Sequence, residues 1–464
     1  MEERSLKFVA EACAAEINSG APGASVRSVC TDSRRAKPGD LFFALTGEKF
    51  DGHAFVAEVA AKGAAAVVVD RKKVASLGGG MPSSCAILAV AEVRAALGQL
   101  AAAYRRELAP RMTAVGGSNG KTTTKEMIAA VLRQRLATLW SEASFNNDIG
   151  VPTTLLRLDR SHQAAVVEAG TNHPGELAPL VKMIQPDYGI ITNIGREHLE
   201  FFGDVAGVAQ EEGWLAELLP ANGILFVNGD SPWTGAIAAR TRAKVVRVGF
   251  GPGNDWRAGK VRLDKNGVTF CVTAPQAEYS GEYRVNLLGR HQVVNALLAI
   301  GSGEEHGLGR AEIQRGLAEC QPPKMRLQFW EAGGVRVLDD CYNANADSMR
   351  AALDTLCELP LQGRRVAVLG DMAELGNTGS AAHEEIGRRA AELKIGQLFT
   401  VGANSALTAR AARAAGLTRV IEFADAEAAV RAVKNFLKPG DVVLLKASRS
   451  SRLERIAESL KTTK

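Results

Sequence analysis

A glycine-rich segment between an apolar strand and a helix holds the residues of this sequence best suited to chemistry. It reads Gly116-Gly117-Ser118-Asn119-Gly120-Lys121-Thr122-Thr123-Thr124. Glycines let backbone N–H groups turn toward phosphate oxygens, and the start of the following helix adds the positive end of its dipole. A lysine and a threonine at these positions reach the β- and γ-phosphates and a magnesium ion. The pattern predicts a nucleotide-phosphate loop formed by Gly117, Ser118, Asn119, Gly120, Lys121, Thr122 and Thr123.

This loop departs from the strict form of its motif at one position. The motif G-x-x-x-x-G-K-[ST] requires a glycine at position 115, where this chain has Val115. The shorter form G-x-x-G-K-T is preceded by a strand and followed by a helix, as a phosphate loop requires. That order favours nucleotide binding over an incidental glycine-rich turn, but it leaves the reaction open.

The alternation of strands and helices around the loop predicts the elements that position it. The loop follows the strand Met112–Val115 and opens the helix Thr123–Arg135. Further strands are expected at Ala164–Glu168, Tyr188–Thr192, Ile224–Asn228 and Lys244–Val248. Helices fall between most of these strands, which is typical of an α/β domain with a largely parallel sheet.

Changes in the pattern of predicted strands, helices and breaks along the chain indicate three domains of an α/β protein. Residues 1–108 form a small N-terminal α/β domain, and residues 109–321 form a central domain with a parallel sheet of the P-loop ATPase type. Gln321-Pro322-Pro323 is a stiff break. Residues 322–464 then alternate again as a Rossmann-like, doubly wound domain, and such sheets bind ligands beyond the carboxyl ends of their strands.

Composition excludes several classes of protein. The chain has 464 residues, 46% hydrophobic and 23% charged, which rules out a disordered chain or a collagen-like fibre. The net charge of +5 is not concentrated in a basic stripe, so no nucleic-acid partner is expected. The seven cysteines are scattered without a C-x-x-C pair, which disfavours zinc and disulfides and favours the cytoplasm. No apolar run approaches about 18 residues, so no membrane partner is expected.

Segments on both sides of the loop follow an order that resembles the Mur ligases, the cytoplasmic enzymes that add amino acids to the peptidoglycan precursor. The resemblance covers nearly the whole chain, and the joint order of the segments is more specific than any one of them. The segments are Ala114–Glu126, Ser144–Pro152, Glu168–Asn172, Asn193–Glu200, Gly289–Ala296, Lys324–Leu327, Asp339–Asn345, Leu369–Gly376 and Lys446–Ser450.

Within that family, Thr31–Arg34 and Pro38–Leu45 are similar both to the tripeptide-forming member and to the member that joins D-alanyl-D-alanine to UDP-N-acetylmuramoyl-tripeptide. Glu168–Glu176, Tyr342–Asn345 and Gly370–Gly376 favour the second of these members. The Asp-Asn-Pro-Arg signature of the diaminopimelate-adding member is absent from the sequence. The resemblance implies that ATP activates the tripeptide carboxylate as an acyl-phosphate, which the dipeptide amine then attacks. It implies ATP and Mg²⁺ as cofactors, UDP-N-acetylmuramoyl-tripeptide and D-alanyl-D-alanine as substrates, and a monomer.

The resemblance also implies catalytic and metal-binding residues. It assigns catalysis to Lys121, Glu168, His198 and Arg326, and magnesium to Thr122, Glu168, His198 and Glu212. Many family members have a carbamylated lysine at the position of Glu212. We hypothesise that Glu212 replaces the carbamate with a permanent, shorter carboxylate. The alternative is that Glu212 is an ordinary acid on a helix surface.

Contacts to ATP and to the two substrates are implied in the same way. His291 and Asn295, four residues apart on one helix face, match the ATP base side. Asp340 matches a ribose contact, and Arg326 would clamp the transferring phosphate on domain closure. The implied UDP-sugar contacts are Thr31, Asp32, Ser33, Arg34, Asn146, Asn147, Thr171 and Asn172. The implied dipeptide contacts are Asn343, Asn345, Lys446, Ser448 and Arg449.

Three alternative functions stay open from the sequence. A sister ligase that adds diaminopimelate or lysine, or folylpolyglutamate synthase, would share the phosphate loop. A P-loop NTPase that drives a partner would hydrolyse ATP without any UDP-sugar substrate. A regulatory module would bind ATP without turnover.

Overall fold

A computed structural model describes residues 1–77, 82–360 and 362–461. The chain forms two compact units, and each is formed from more than one stretch of the chain. The first unit comprises Met1–Ala114, Leu136–Thr171 and Ala178–Asp187, and the second comprises Val115–Arg135, Asn172–Leu177 and Tyr188–Lys464. None of the helices in the described residues is long and apolar enough to cross a membrane.

A five-stranded sheet and a two-stranded ribbon form the N-terminal part of the first unit. The strands are β1 (Arg4–Ser5), β2 (Glu16–Ser19), β3 (Ser25–Val26), β4 (Ser28–Cys30), β5 (Asp40–Phe43), β6 (Ala66–Asp70) and β7 (Ala86–Val90), and the helices are α1 (Leu6–Cys13), α2 (Val56–Ala61) and α3 (Val93–Arg106). The sheet order is β2-β7-β6-β5-β4. Strands β4 to β7 are parallel, and β2 pairs antiparallel with β7.

Residues 111–319 contribute a nine-stranded sheet that carries the phosphate loop. Its strands are β8 (Arg111–Gly116), β9 (Thr138–Trp140), β10 (Ala164–Glu168), β11 (Tyr188–Ile191), β12 (Ile224–Asn228), β13 (Lys244–Gly249), β14 (Trp256–Asp264), β15 (Gly267–Thr273) and β16 (Gly281–Val285). The helices are α4 (Lys121–Leu132), α5 (Gly150–Leu155), α6 (Leu177–Ile184), α7 (Leu199–Phe202), α8 (Val205–Glu212), α9 (Trp214–Glu217), α10 (Thr234–Ala238), α11 (Gln292–Glu305) and α12 (Arg310–Glu319). The order is β16-β15-β14-β13-β12-β11-β8-β10-β9.

The expected strands of this sheet are confirmed, and an unexpected extension is added to them. β10 and β12 have the predicted bounds, β11 and β13 differ from theirs by one residue at one end, and β8 is longer than predicted by one residue at each end. Beyond β13 the sheet continues as the antiparallel strands β14, β15 and β16. A sequence signal for this extension exists, because Lys265-Asn266 before Gly267 is typical of a two-residue hairpin turn.

The C-terminal part of the second unit is a six-stranded doubly wound sheet. Its strands are β17 (Gln328–Ala332), β18 (Val335–Asp340), β19 (Arg365–Gly370), β20 (Gln397–Val401), β21 (Val420–Phe423) and β22 (Val442–Lys446), and its helices are α13 (Ala346–Glu358), α14 (Gly379–Glu392), α15 (Ser405–Ala414), α16 (Ala426–Phe436) and α17 (Glu454–Lys461). The order is β17-β18-β22-β19-β20-β21, and only β17 is antiparallel to its neighbour.

Apolar cores lie on both faces of this C-terminal sheet, as expected for a doubly wound domain. One core packs Leu353 and Ile386 of α13 and α14 against the sheet, and the other packs Val433 and Ile456 of α16 and α17. Because β18, β19 and β22 are parallel, the loops that follow their carboxyl ends lie at the same edge of the sheet. This edge carries the C-terminal residues that the sequence singled out.

Candidate active site

Neighbouring residues hold the phosphate loop in place through its own amides. Gly117 N donates to Glu212 Oε2 at 2.6 Å, and Asn119 N donates to Asn193 Oδ1 at 2.8 Å. Ser118 N donates to Asn193 O at 2.9 Å. Gly117 and Gly120 have φ of +107° and +87°, which favours glycine at both positions. Because Gly120 is the left-handed N-cap of α4, the helix begins at Lys121 and not at the predicted Thr123.

Lys121 is folded back onto this loop. Its Nζ donates to Gly117 O at 2.5 Å and to Ser118 O at 3.3 Å, and it lies 3.2 Å from Glu197 Oε2. The side chains of Lys121 and Glu197 are only 13% and 6% exposed. A phosphate that binds to Lys121 therefore has to replace acceptors that the protein itself supplies.

Glu212 is buried directly behind the loop, at the end of α8. The residue has 0% exposure, and its Oε1 atom has no hydrogen-bond partner among the described residues. Burial raises the pKa of Glu212 to about 8, and the negative charge of Glu197 adds to the increase. The Lys121 charge and the Gly117 N–H group oppose the increase.

This burial excludes one of the two sequence interpretations of Glu212. The alternative of an ordinary surface acid is wrong, because the side chain is inaccessible and hydrogen-bonded to the loop backbone. The hypothesis of a permanent carboxylate stays a prediction, and the burial that raises the pKa of Glu212 opposes its charged form when no cation is bound. Its role beside a metal stays a prediction, and it requires that cation binding release the proton.

His198 follows the β11 strand and begins the short helix α7. It has left-handed backbone angles, φ 47° and ψ 34°. Its Nδ1 atom lies 2.5 Å from Glu374 Oε2, a carboxylate in the loop after β19. The hydrogen bond with His198 lowers the pKa of Glu374. The candidate metal ligand is thus in contact with the C-terminal sheet's loop edge.

An ion-pair network adjoins His198 and joins the same two parts of the second unit. Arg196 lies 2.6 Å from Asp347 Oδ1 of α13 and 2.6 Å from Glu385 Oε2 of α14. Arg350 also contacts Glu385. Hydrogen bonds from Arg196 lower the pKa of Glu385 to about 2. The network places charged groups of the C-terminal helices beside the residues that follow β11.

Two predicted ligand contacts also touch the phosphate loop. Asn345 Nδ2 donates to Asn119 Oδ1 at 2.9 Å, while Asn345 Oδ1 caps α13 by accepting from Ser348 N. A Cβ atom on Gly120 would lie 2.9 Å from Asn295 Oδ1. The structure therefore brings a residue assigned to ATP and one assigned to the dipeptide onto the same loop.

Lys446 and Ser448, two of the predicted dipeptide contacts, form hydrogen bonds within the C-terminal domain. Lys446 Nζ lies 2.6 Å from Asp340 Oδ2 and also donates to Asn343 O. Ser448 Oγ donates to Ala344 O and accepts from Ala373 N. Lys446 and Ser448 are each 2% exposed, so both support the loops from beneath. The side chains of Asn343 and Arg449 are exposed, and their contact with a dipeptide stays a prediction.

The two residues assigned to phosphate and ribose are also held within the C-terminal domain. The guanidinium carbon of Arg326 lies 4.1 Å from the centroid of the Tyr342 ring. Asp340 Oδ1 accepts from Leu327 N at 3.0 Å, in addition to the pair with Lys446. The stacked guanidinium is pre-oriented as a planar group for anion recognition.

In the first unit, the structure joins Glu168 to one of the predicted sugar contacts. Glu168 is 1% exposed at the end of β10, and its Oε1 accepts from Asn146 Nδ2 at 2.9 Å. Asn147 Oδ1 accepts from Ile149 N and Gly150 N and so caps the start of α5. Thr171 is buried at 4% exposure. Asn172, which belongs to the second unit, is exposed.

The turn assigned to uridine diphosphate lies at the surface of the first unit. Asp32 caps the 3₁₀ turn Ser33–Arg35 and pairs with Arg34 at 2.7 Å. Hydrogen bonds from Arg34 lower the pKa of Asp32 to about 2. Thr31 and Ser33 are half-buried, and Arg34 is exposed. An exposed cation with two neighbouring hydroxyl groups is suitable for a diphosphate.

No ready-made cluster of metal ligands is present in the described ranges, because no three His, Cys, Asp or Glu side chains are grouped for one ion. The donors beside the loop nevertheless fit magnesium. Glu197 and Glu212 each have a buried carboxylate oxygen without a hydrogen-bond partner among the described residues. Magnesium prefers such oxygen ligands.

Three family models, all of Mur ligase domains, match successive parts of the chain. The Mur ligase family catalytic domain matches residues 25–105, and the Mur ligase middle domain matches residues 115–303. The Mur ligase glutamate ligase domain matches residues 325–449. The chain belongs to the Mur ligase family.

Individual Mur ligases resemble this chain over nearly its full length. The UDP-N-acetylmuramoyl-tripeptide--D-alanyl-D-alanine ligase of Escherichia coli is 37% identical over 96% of both chains. MurF from Acinetobacter baumannii is 33% identical and covers 99% of both chains with a TM-score of 0.89. MurF from Thermotoga maritima, solved in complex with ADP, is 26% identical, with a TM-score of 0.80 over 94% of this chain and 97% of its own.

Three charged residues of this Mur ligase were missed by the sequence interpretation. Arg196 and Glu197 directly precede His198, and Glu374 lies in the segment Leu369–Gly376. Both segments were recognised as part of the resemblance, but their charges had no assigned partners. Only the three-dimensional contacts pair Glu197 with Lys121 and Glu374 with His198.

Proposed function

We propose that this chain is the ATP-dependent ligase that joins D-alanyl-D-alanine to UDP-N-acetylmuramoyl-tripeptide during synthesis of the peptidoglycan precursor. The observation that carries the proposal is the full-length likeness to the Escherichia coli enzyme of that activity. The glycine-rich loop with Lys121 at the start of α4 supports ATP as the energy source. ADP in the Thermotoga maritima relative supports the same nucleotide.

The reaction needs activation, because hydroxide is a poor leaving group from a carboxylate. The terminal carboxylate of the tripeptide attacks the γ-phosphorus of ATP, the bond to the bridging oxygen breaks, and ADP leaves. The dipeptide amine then attacks the carbonyl carbon of the acyl-phosphate. The carbon–oxygen bond to phosphate breaks, phosphate leaves with the electron pair, and the amine nitrogen loses a proton.

Lys121 disperses negative charge on the transferring phosphoryl group. Its Nζ exchanges the hydrogen bonds to Gly117 O, Ser118 O and Glu197 for phosphate oxygens. The positive end of the α4 dipole acts on the same oxygens. Arg326, held over the Tyr342 ring, is proposed to add a second cation.

Magnesium is proposed to bind through Thr122, Glu168, His198 and Glu212. When bound, the ion supplies positive charge that stabilises the phosphate oxygens. The buried Oε1 atom of Glu212 supports its place in this set. Glu212 has to lose its proton to contribute, so cation binding and proton release are coupled.

The remaining site residues are proposed to bind substrates. ATP contacts are Gly117, Ser118, Asn119, Gly120, Thr122, Thr123, His291, Asn295 and Asp340. UDP-sugar contacts are Thr31, Asp32, Ser33, Arg34, Asn146, Asn147, Thr171 and Asn172. Dipeptide contacts are Asn343, Asn345 and Arg449, with Lys446 and Ser448 supporting the loop from which they project.

The domain division and the setting of the enzyme are part of the proposal. Residues 1–108 bind the UDP-sugar, residues 109–321 bind ATP, and residues 322–464 deliver the dipeptide. The enzyme is a cytoplasmic monomer, and the free state of all seven cysteines supports a reducing compartment. Light scattering that gave twice the mass of one chain would contradict the monomer.

The decisive experiment is a ligation assay read by mass spectrometry. The protein is incubated with ATP, Mg²⁺, UDP-N-acetylmuramoyl-tripeptide and D-alanyl-D-alanine, and the expected product is the UDP-linked pentapeptide. Lys121→Met should abolish the product. Lys182→Met, which changes an exposed lysine on α6, should leave it unchanged. Absence of the pentapeptide with the folded wild-type protein would refute the proposal.

The same assay separates the alternative functions. A sister ligase would join diaminopimelate, lysine or glutamate to a different acceptor and would leave the UDP-linked tripeptide unchanged. An NTPase that drives a partner would release phosphate without the UDP-sugar substrate. A regulatory module would bind ATP without releasing phosphate.

A further inference from the structure

Two hydrogen bonds join Glu374 to the segment His198–Glu200, and both His198 and Glu374 have left-handed backbone angles. His198 has φ 47° and Glu374 has φ 60°, which is uncommon for residues other than glycine. His198 Nδ1 lies 2.5 Å from Glu374 Oε2. Glu200 N donates to Glu374 O at 3.1 Å. A residue of the β11–α7 segment and a residue of the loop after β19 are thus fixed to each other by side chain and main chain.

The contact between these segments leaves little room for adjustment. A Cβ atom on Gly376 would lie 3.0 Å from Glu200 Cα, so the two backbones approach closely. The His198 carbonyl accepts from Phe201 N at 2.9 Å and Phe202 N at 3.1 Å, which ties the histidine to α7. Backbone strain of this kind persists only where the surroundings enforce it. The surroundings here include the carboxylate of Glu374.

Other ionisable groups near this pair have their own partners. His173 Nδ1 lies 3.0 Å from Glu176 Oε1 and its ring packs 4.2 Å from Phe201. Arg196, two residues before His198, pairs with Asp347 and Glu385. His173 and Arg196 thus pair with other carboxylates, while Glu374 makes its short contact with His198.

We infer that Glu374 is a positioning residue that orients the His198 imidazole for magnesium from the C-terminal domain. An acceptor at Nδ1 fixes the hydrogen on that nitrogen and leaves the Nε2 lone pair for a metal. The inference rests on the proposed function, which assigns His198 to magnesium. It adds that this ligand is oriented only while the loop after β19 is seated against α7.

The dependence on Glu374 is tested by cation binding without turnover. Mn²⁺ is titrated by electron paramagnetic resonance into the full-length protein with ADP. Removal of such a supporting carboxylate weakens metal binding by about 10–100-fold, so Glu374→Ala should raise the Mn²⁺ dissociation constant within that range. Glu374→Gln retains an acceptor oxygen and should restore most of the affinity. Glu384→Ala, which removes a half-buried carboxylate of α14 that pairs with Arg388 and Arg410, is the control and should bind like wild type.

A double variant and a spectroscopic signature separate orientation from general structural damage. In a His198→Gln background, Glu374→Ala should cause no further loss of Mn²⁺ affinity. Nitrogen NMR of histidine-labelled protein should show the Nδ1–H form of His198 in wild type and in Glu374→Gln, and a mixture in Glu374→Ala. The His198→Gln spectrum assigns the signal among the seven histidines.

Two results would overturn the inference. One is an equal loss of Mn²⁺ affinity from Glu374→Ala with and without His198. The other is an unchanged tautomer of His198 in folded Glu374→Ala protein. Neither measurement uses the ligation reaction. A protein that forms no pentapeptide but shows the expected tautomer and affinity changes would refute the proposed function and keep the inference.

Discussion

Replacing Gly117 by alanine tests whether the phosphate loop is fixed by close packing against the segment after β11. Gly117 has φ +107°, and a Cβ atom there would lie 2.4 Å from Thr192 Oγ1, 2.8 Å from Thr192 N and 2.9 Å from Asn193 O. Two of these atoms belong to the backbone. A change of rotamer therefore cannot relieve the overlap, and the loop or the β11 segment has to move.

The cost of the Gly117→Ala substitution has three parts. A left-handed backbone in a residue other than glycine costs about 1–3 kcal/mol. Overpacking against a fixed neighbour costs about 1–3 kcal/mol. Weakening the hydrogen bond from Gly117 N to Glu212 costs about 1 kcal/mol. The free energy of unfolding should fall by about 3–7 kcal/mol, a large part of the ~5–15 kcal/mol typical of a protein.

Gly175→Ala is the matched control for this substitution. Gly175 has φ +90°, but a Cβ atom there would meet nothing within 4 Å. The control therefore has the backbone cost without the overlap. We expect the melting temperature of Gly117→Ala to lie at least about 4 °C below that of Gly175→Ala, since 1 kcal/mol shifts a domain of this size by about 2–4 °C. Gly117→Ala should also bind ADP more weakly in calorimetry. Equal melting temperatures and equal ADP affinities for the two variants would refute the packing argument.

Three further predictions concern charged groups of the second unit. The pKa of Glu212 is raised from 4.5 to about 8, so without added nucleotide or metal the unfolded state loses this proton at lower pH than the folded state. Between pH 4.5 and 8, the unfolding free energy of the wild type should therefore fall by about 1.4 kcal/mol per pH unit relative to Glu212→Gln. An equal difference in unfolding free energy between the two proteins at pH 5.5 and pH 7.5, measured in urea, would contradict this. Lys446→Met leaves the Asp340 carboxylate, whose side chain is 13% exposed, without its cationic partner, and should cost about 3–5 kcal/mol of unfolding free energy. Adding Asp340→Asn should recover most of this loss in urea unfolding, and no recovery would contradict the importance of the pair. Arg196→Ala should lower the free energy of unfolding by about 1–2 kcal/mol, and the loss should be smaller in 1 M NaCl. Arg262→Ala, which breaks an exposed ion pair, is the control. Equal losses in the two variants would contradict a special role for Arg196.

The sequence predicted the parallel core of the fold because local patterns determine it. The strands β10 and β12 are short apolar runs with breaks on both sides, and their bounds follow from side-chain type alone. The antiparallel extension β14–β16 was missed, although Lys265-Asn266-Gly267 carries a turn signal. Its strands are partly exposed and contain charged residues, so their apolar alternation is weak.

Prediction of the site was limited by distance along the chain. The glycine-rich loop could be recognised because its function lies in one continuous segment. The partners of its side chains lie far away, since Glu197 is 76 residues from Lys121 and Glu374 is 176 residues from His198. The burial of Glu212 depends on how α8 packs behind the loop. No local pattern encodes such pairings.

The strand order of the C-terminal sheet has a consequence for synthesis of the protein. β22 lies between β18 and β19, and it pairs in parallel with both. Its Lys446 pairs with Asp340, 106 residues earlier in the chain. On the ribosome, β18 and β19 therefore emerge with unpaired edges and an uncompensated Asp340, and they keep them until β22 inserts. Exposed strand edges promote aggregation, and this domain can cover these edges only after nearly all of the chain has been synthesised.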